Sequence, residues 1–156
     1  MKFRGIALFP KVAVVAHGAV AGLLFGAEFA LIYLGLQNTL ASRTYVLVYT
    51  APFFVALGAH FFLKDDRLNR WKVTGLILAF TGVAFLFLRS LGTLTEGMLR
   101  GVLMALGGGA LWAATTIYVK RFLVDRALPL QMVFYQLIFS VPLLLGLSFT
   151  FEDPMI

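Results

Sequence analysis

Along this chain, long apolar runs alternate with short polar pieces. The runs cover residues 12–36, 44–63, 73–88, 101–119 and 130–151, and every lysine and arginine lies outside them. A helix needs ~20 residues to cross a hydrocarbon core of ~30 Å, and these runs of 16 to 25 residues show no alternation of period two. Backbone polar groups in lipid must be satisfied within a helix or a closed barrel, so the missing alternation selects helix. The pattern predicts an all-α membrane protein, a polytopic helical bundle with five transmembrane helices. The 73–88 run is the shortest. Trp71, Lys72 and Arg89 at its ends can reach the interfaces and complete the span. Loops of seven to twelve residues leave no room for a soluble domain between spans.

Charge orients the bundle. Counted over residues 1–11, 37–43, 64–72, 89–100, 120–129 and 152–156, the lysines and arginines number 3, 1, 4, 2, 3 and 0. Basic residues beside spans are retained on the cytoplasmic side, whereas acidic ones have little influence. The N-terminus is therefore expected in the cytoplasm and the C-terminus outside, in a multi-pass protein of the cell membrane. The net charge of +6 would suggest a nucleic-acid partner in a soluble chain. Here the charges flank apolar spans and leave no basic stripe interleaved with aromatics, so the expected surroundings are the lipid bilayer, with no nucleic acid.

Composition narrows the chemistry further. With 61% hydrophobic and 13% charged residues, the chain lies far from the roughly 25% charged of soluble domains. No cysteine is present, which excludes disulfides, thiolate metal sites and cysteine nucleophiles. The 12–36 run is 25 residues long and interrupted by Glu28, unlike a signal-peptide apolar region. There is no His-x-x-x-His pair, phosphate-cradling loop or Gly-x-Ser-x-Gly elbow, so no catalytic or metal-ligating residue and no cofactor is expected. Asp65 and Asp66 are adjacent and read as charge balance beside Lys64 and Arg67.

Small residues recur at helical spacing. Gly18, Gly22 and Gly26 stand four apart on one face and predict a close helix contact. Gly75, Ala79 and Gly82 read the same way, as does Gly107-Gly108-Gly109. Pro52 and Pro142 lie inside apolar runs, where each frees the carbonyl four residues earlier, Val48 and Ile138.

Among residues that could carry function, Glu28 comes first, being the sole formally charged residue inside any run. An ionisable group at that depth faces a cavity or partner, or is protonated and hydrogen-bonded to a neighbouring helix. His17 lies eleven residues earlier, about three turns, on the same face. It pairs with His60 as a proton relay or gate, or the two are separate interfacial histidines. Tyr45, Tyr49 and Pro52 follow i, i+4, i+7; Gln131 with Tyr135 and Gln136 with Ser140 form two further rows. These line a polar route for a small solute, or the tyrosines anchor the interface.

The segments Leu40-Ala41-Ser42-Arg43-Thr44-Tyr45-Val46-Leu47-Val48-Tyr49-Thr50-Ala51-Pro52, Phe62-Leu63-Lys64-Asp65-Asp66-Arg67-Leu68, Gly75 and Thr81-Gly82-Val83 together resemble the EamA domain of the drug/metabolite transporter superfamily. Asp66-Arg67 stands where that family usually has Glu and a basic residue at a cytoplasmic helix end. Gly101 to Leu106, Leu111-Trp112-Ala113 and Val119-Lys120-Arg121 look like the opening helix of the family's second repeat. The resemblance implies a ten-helix transporter of two inverted five-helix repeats, of which this chain corresponds to helices three to seven. Residues 1–91 would then be the last three helices of the first repeat and 92–156 the first two of the second. It further implies transport of a small metabolite or amino-acid-like solute by alternating access, no enzymatic activity, and no transport by these five helices alone. Pathway candidates are Glu28, His17, Tyr49, Pro52, Trp112, Tyr135 and Gln136, with Asp66 and Arg67 as the cytoplasmic motif. A homo-oligomer is the expected partner form for exposed small-residue faces. The alternative function is a non-transporting membrane scaffold or assembly subunit.

Since the chain lacks cysteine, single cysteines report topology without background. With an impermeant thiol reagent on intact cells, Asn69→Cys is expected to stay unlabelled and Thr95→Cys to react; the reverse pattern would invert the orientation.

Overall fold

A computed structural model of the chain describes residues 2–3, 6–7, 11–64, 66–88 and 95–151. Arg89, Asp65, the expected repeat boundary at residues 91/92 and the last five residues lie outside these. Two short antiparallel strands, β1 (Lys2–Phe3) and β2 (Ile6–Ala7), pair Lys2 with Ala7 and Phe3 with Ile6. Six helices follow: α1 (Val12–Asn38), α2 (Ala41–Val48), α3 (Ala51–Phe62), α4 (Arg70–Leu88), α5 (Glu96–Phe122) and α6 (Pro129–Phe151). Each expected span is helical, the second as the broken pair α2 and α3. Four segments are long and apolar enough to cross a membrane: α1, α2 with α3, α5 and α6. With 19 residues, α4 carries the remaining expected span, about 28 Å at the helical rise per residue.

The helices overrun the apolar runs because their first turns are capped by polar groups outside them. Asn69 Oδ1 accepts from Lys72 N at 2.9 Å ahead of α4, and Thr95 Oγ1 accepts from Met98 N at 3.5 Å ahead of α5. In α6, Pro129 takes the first position, where an N–H would be unused. Gln131 reaches back to accept from Leu128 N at 2.7 Å.

The two prolines behave differently. Tyr49 and Thr50 leave the helix between α2 and α3, and Pro52 sits in the first turn of α3. Thr50 closes the break on itself, its N and Oγ1 both donating to Leu47 O at 3.0 and 2.6 Å. Room for the displaced carbonyls comes from Gly109 of α5, where a Cβ would stand 3.2 Å from Val48 O. Pro142, by contrast, is carried inside an unbroken α6.

α1 is the spine of the bundle, packing chiefly on α5 and α6. Its Gly18, Gly22 and Gly26 row meets α6: a Cβ on Gly18 would stand 2.6 Å from the Tyr135 ring, on Gly22 2.5 Å from Phe139 Cβ, and on Gly26 3.2 Å from Ser140 Cβ. A second crossing, toward α5, uses Gly35 against Ala105 and Gly101, and Gly108 against Ile32. Gly107 meets Leu31, so the three-glycine run serves two neighbours, α1 and the α2–α3 break. The expected packing face of α4 is different. Gly75 and Gly82 have open space within 4 Å, and Trp71, Ile77, Leu78 and Phe85 are exposed. α4 touches the bundle lightly, through α2 and an edge-on Phe53–Phe80 ring pair.

Lysines from two helices converge on one loop carboxylate. Asp66, between α3 and α4, pairs with Lys72 in the first turn of α4 and with Lys120 in the last turn of α5, the latter at 2.5 Å. The expected balance with Lys64 and Arg67 is thus corrected, because chain neighbours diverge where helix ends converge. Arg67 enters through its backbone oxygen, which accepts from Lys72 Nζ at 3.4 Å. At the opposite end, Arg43 is buried, donating to Thr39 Oγ1 and toward Met98 Sδ at 3.5 and 3.6 Å. The lone basic residue of the 37–43 stretch is therefore buried in the first turn of α2.

Two outcomes are expected. Gly22→Ala should cost about 1–3 kcal/mol, the scale of an overpacked contact, because Phe139 Cβ and the Tyr135 carbonyl have to move. Gly82→Ala, facing open space, should cost nothing; denaturant unfolding in detergent compares the two. The second concerns Asp66, whose carboxyl is held down to about 2 by hydrogen bonds from Lys120 and Lys72. A depressed carboxylate adds stability above its ordinary value of 3.8 and loses it as pH falls toward 2. The stability gap between the native chain and Asp66→Asn should thus be constant above roughly pH 5 and close between about pH 4 and 2, staying below about 1 kcal/mol per exposed pair.

Candidate functional site

Two cavities lie along the groove where α1, the α2–α3 break and α5 meet. The first, of about 510 Å³, has Glu28, Phe25 and Ile32 of α1 on one wall and Tyr45, Val48 and Tyr49 opposite. Trp112, Thr115 and Thr116 of α5 and Gln136 of α6 close it. The second, of about 480 Å³, is lined by Tyr49, Pro52, Ala59, Trp112 and Thr116 and extends to Asp66 and Lys72. Tyr49, Trp112 and Thr116 belong to both, so they stand where one cavity passes into the other.

Local structure explains the space. α1 approaches α5 closely at Gly35 and Gly108, and Trp112, one turn further along α5, lines both cavities. The α2–α3 break turns Tyr49 out of the bundle contact, and it is one of the exposed aromatics. Glu28 is 4% exposed, and its Oε2 has no hydrogen-bond partner. Thr115 is also buried, its hydroxyl donating to Leu111 O at 2.9 Å and leaving oxygen lone pairs for the cavity. Of the sequence candidates, the structure thus gathers Glu28, Tyr49, Trp112 and Gln136 around one cavity and places Pro52 on the next.

Others go elsewhere. Tyr135 is fully buried against the Gly18 edge of α1 and lines neither cavity. Its ring fills the gap left by the glycine, a helix-packing contact. Gln131, its neighbour in the expected row, is the helix cap described above. His17 does share the α5-facing side of α1 with Glu28, but nearer the basic end. Its Nδ1 lies 2.7 Å from the Tyr118 hydroxyl and its ring stacks on Phe122 at 4.9 Å and 10°. His60 accepts from Leu68 N at 3.2 Å, so the two imidazoles have separate partners. Asp66 sits at the far end of the second cavity, where it pairs with Lys72 and Lys120, while Arg67 is not one of that cavity's lining residues.

Sequence reasoning missed Thr115 and Thr116 as lining residues. The signal was available: adjacent hydroxyls three and four residues after Trp112 in a span otherwise built of small and apolar residues. Lys120 as the partner of Asp66, and Tyr118 as the partner of His17, carry no local signal. No cluster of three or more metal-ligating side chains occurs among the described residues.

Comparison with known proteins agrees with this architecture. The model of the EamA-like transporter family matches residues 2–88 and 99–156. An uncharacterized transporter from Bacillus subtilis (strain 168), YoaV, is 28% identical over 134 residues. That alignment takes in 85% of this chain and 45% of the relative, so the chain spans a little under half the relative's length. No solved structure matches. A family match over nearly the whole chain, together with apolar helices of membrane-crossing length around a polar groove, makes this a multi-pass membrane protein that belongs to the EamA-like transporter family.

Proposed function

We propose that this chain is part of a transporter that moves a small metabolite or amino-acid-like solute across the cell membrane by alternating access, with the chain's N-terminus cytoplasmic and its C-terminus external. The observation carrying this reading is convergence. Glu28, Tyr49, Trp112 and Gln136 come from four separate parts of the chain and border one cavity. Residues 1–91 and 92–156 act as parts of two repeats, and the groove takes its walls from both, as expected of a solute site at a repeat interface. A non-transporting scaffold, the alternative, gives no reason for scattered polar residues to meet. The bare face of α4 at Gly75 and Gly82 suits a further helix or a second copy as partner.

In this scheme the cavity around Glu28 holds the solute, and the Tyr49–Trp112–Thr116 constriction separates it from the second cavity. Uptake and efflux measured in cells against a labelled metabolite panel test the reading. Glu28→Gln is expected to insert and express normally while lowering flux at least roughly tenfold, as for loss of a buried charged contact. Unchanged kinetics would leave Glu28 a structural residue.

A further inference from the structure

The cavity that holds the solute in the reading above is electrostatically one-sided. Its lining includes one carboxylate, Glu28, and no lysine, arginine or histidine. Glu28 is 96% buried and its Oε2 has no hydrogen-bond partner, and among the described residues no cation lines the space beside this acceptor. Around it stand four polar-edged aromatics, Tyr33, Tyr45, Tyr49 and Trp112. Thr115, Thr116 and Gln136 add hydroxyl and amide groups, and the rest of the wall is apolar.

Each class of head group fares differently there. An anionic head would meet a like charge with no cation to pair with, in a setting where both charges are poorly hydrated. A neutral polar head offers one hydrogen bond and leaves the buried charge uncompensated. A cation pairs with Glu28 and can lie over the faces of tyrosine and tryptophan, an attraction that grows when the charge is desolvated. The cavity volume of about 510 Å³ suits a small molecule, and Phe25 and Ile32 favour an apolar body.

We propose, resting on the transport reading, that the Glu28 cavity selects organic monocations: an ammonium head joined to an apolar or aromatic body. The head sits at Glu28, and the body lies along Tyr49 and Trp112. The Thr115 hydroxyl oxygen and Gln136 amide oxygen supply acceptors for further N–H donors, which favours a primary or secondary ammonium over a quaternary one.

Three probes with one body and different heads separate the possibilities: 4-phenylbutylammonium, 4-phenylbutanol and 4-phenylbutyrate. Each is titrated into the chain in nanodiscs of zwitterionic lipid at about pH 8, on a Trp71→Phe background in which Trp112 is the remaining tryptophan reporter. The ammonium is expected to give saturable Trp112 quenching roughly tenfold or more tighter than the other two, the scale of a desolvated cation–π contact with a paired charge. Glu28→Gln should reduce it to the level of the alcohol, while Glu28→Asp should keep the ranking. Equal or tighter binding of the alcohol or the butyrate would overturn the cation assignment yet leave the cavity a solute site. If no probe gives a saturable signal, the solute site itself is lost and the transport reading with it. Should Glu28→Gln not fold, the ranking of the three heads with Glu28 in place decides the matter.

Discussion

Everything in this bundle depends on how closely α1 can approach its neighbours. In lipid, apolar surface gains nothing by leaving its surroundings, so helices associate through van der Waals contact and polar links. Close contact needs small side chains, and α1 provides two such tracks: Gly18, Gly22 and Gly26 against α6, and Gly35 with its neighbours against Gly101, Ala105 and Gly108 of α5. Tyr135 and Phe139 fill the first track where a larger α1 residue would have excluded them. Bulk on one side and its absence on the other form a single fitted contact.

The same spine sets the site. Where glycine draws α1 and α5 together the interface closes, and where Glu28 and Trp112 line the cavity it opens. Glu28 lies beside that opening, one turn from Ile32, which packs on Gly108. The α2–α3 break completes the groove, because Tyr49 leaves the helix and Gly109 lets α5 approach the displaced carbonyls. Packing and cavity are therefore made by the same few residues, and a change to the glycines of α5 would be felt in the shape of the groove.

Much of this could be read from the chain. Apolar run lengths gave the helices, because membrane thickness fixes how long they must be. Four-residue glycine spacing gave the α1 contact face, and Glu28 stood out because a buried charge is costly. What spacing cannot supply is the identity of the neighbour across a contact. Tyr135 shares a helical row with Gln131, yet one fills a glycine gap and the other caps a helix. Pro52 and Pro142 look alike in sequence. Only the first is followed through as a break, since Thr50 can satisfy Leu47 O and Gly109 can make room. The small-residue row of α4 gave a face and no partner among the described residues.

The two lysines that meet at Asp66 lie at very different distances along the chain. Lys72 follows it by six residues and Lys120 by 54. At a synthesis rate of ~5–20 residues per second, the second lysine leaves the ribosome roughly 2–10 seconds after the first. The α3–α4 hairpin thus holds both partners of its own pair before Lys120 has been made, and the second pair cannot form until α5 follows. Closure of that pair dates the arrival of α5 and gives the bundle a chronological order of assembly as well as a spatial one.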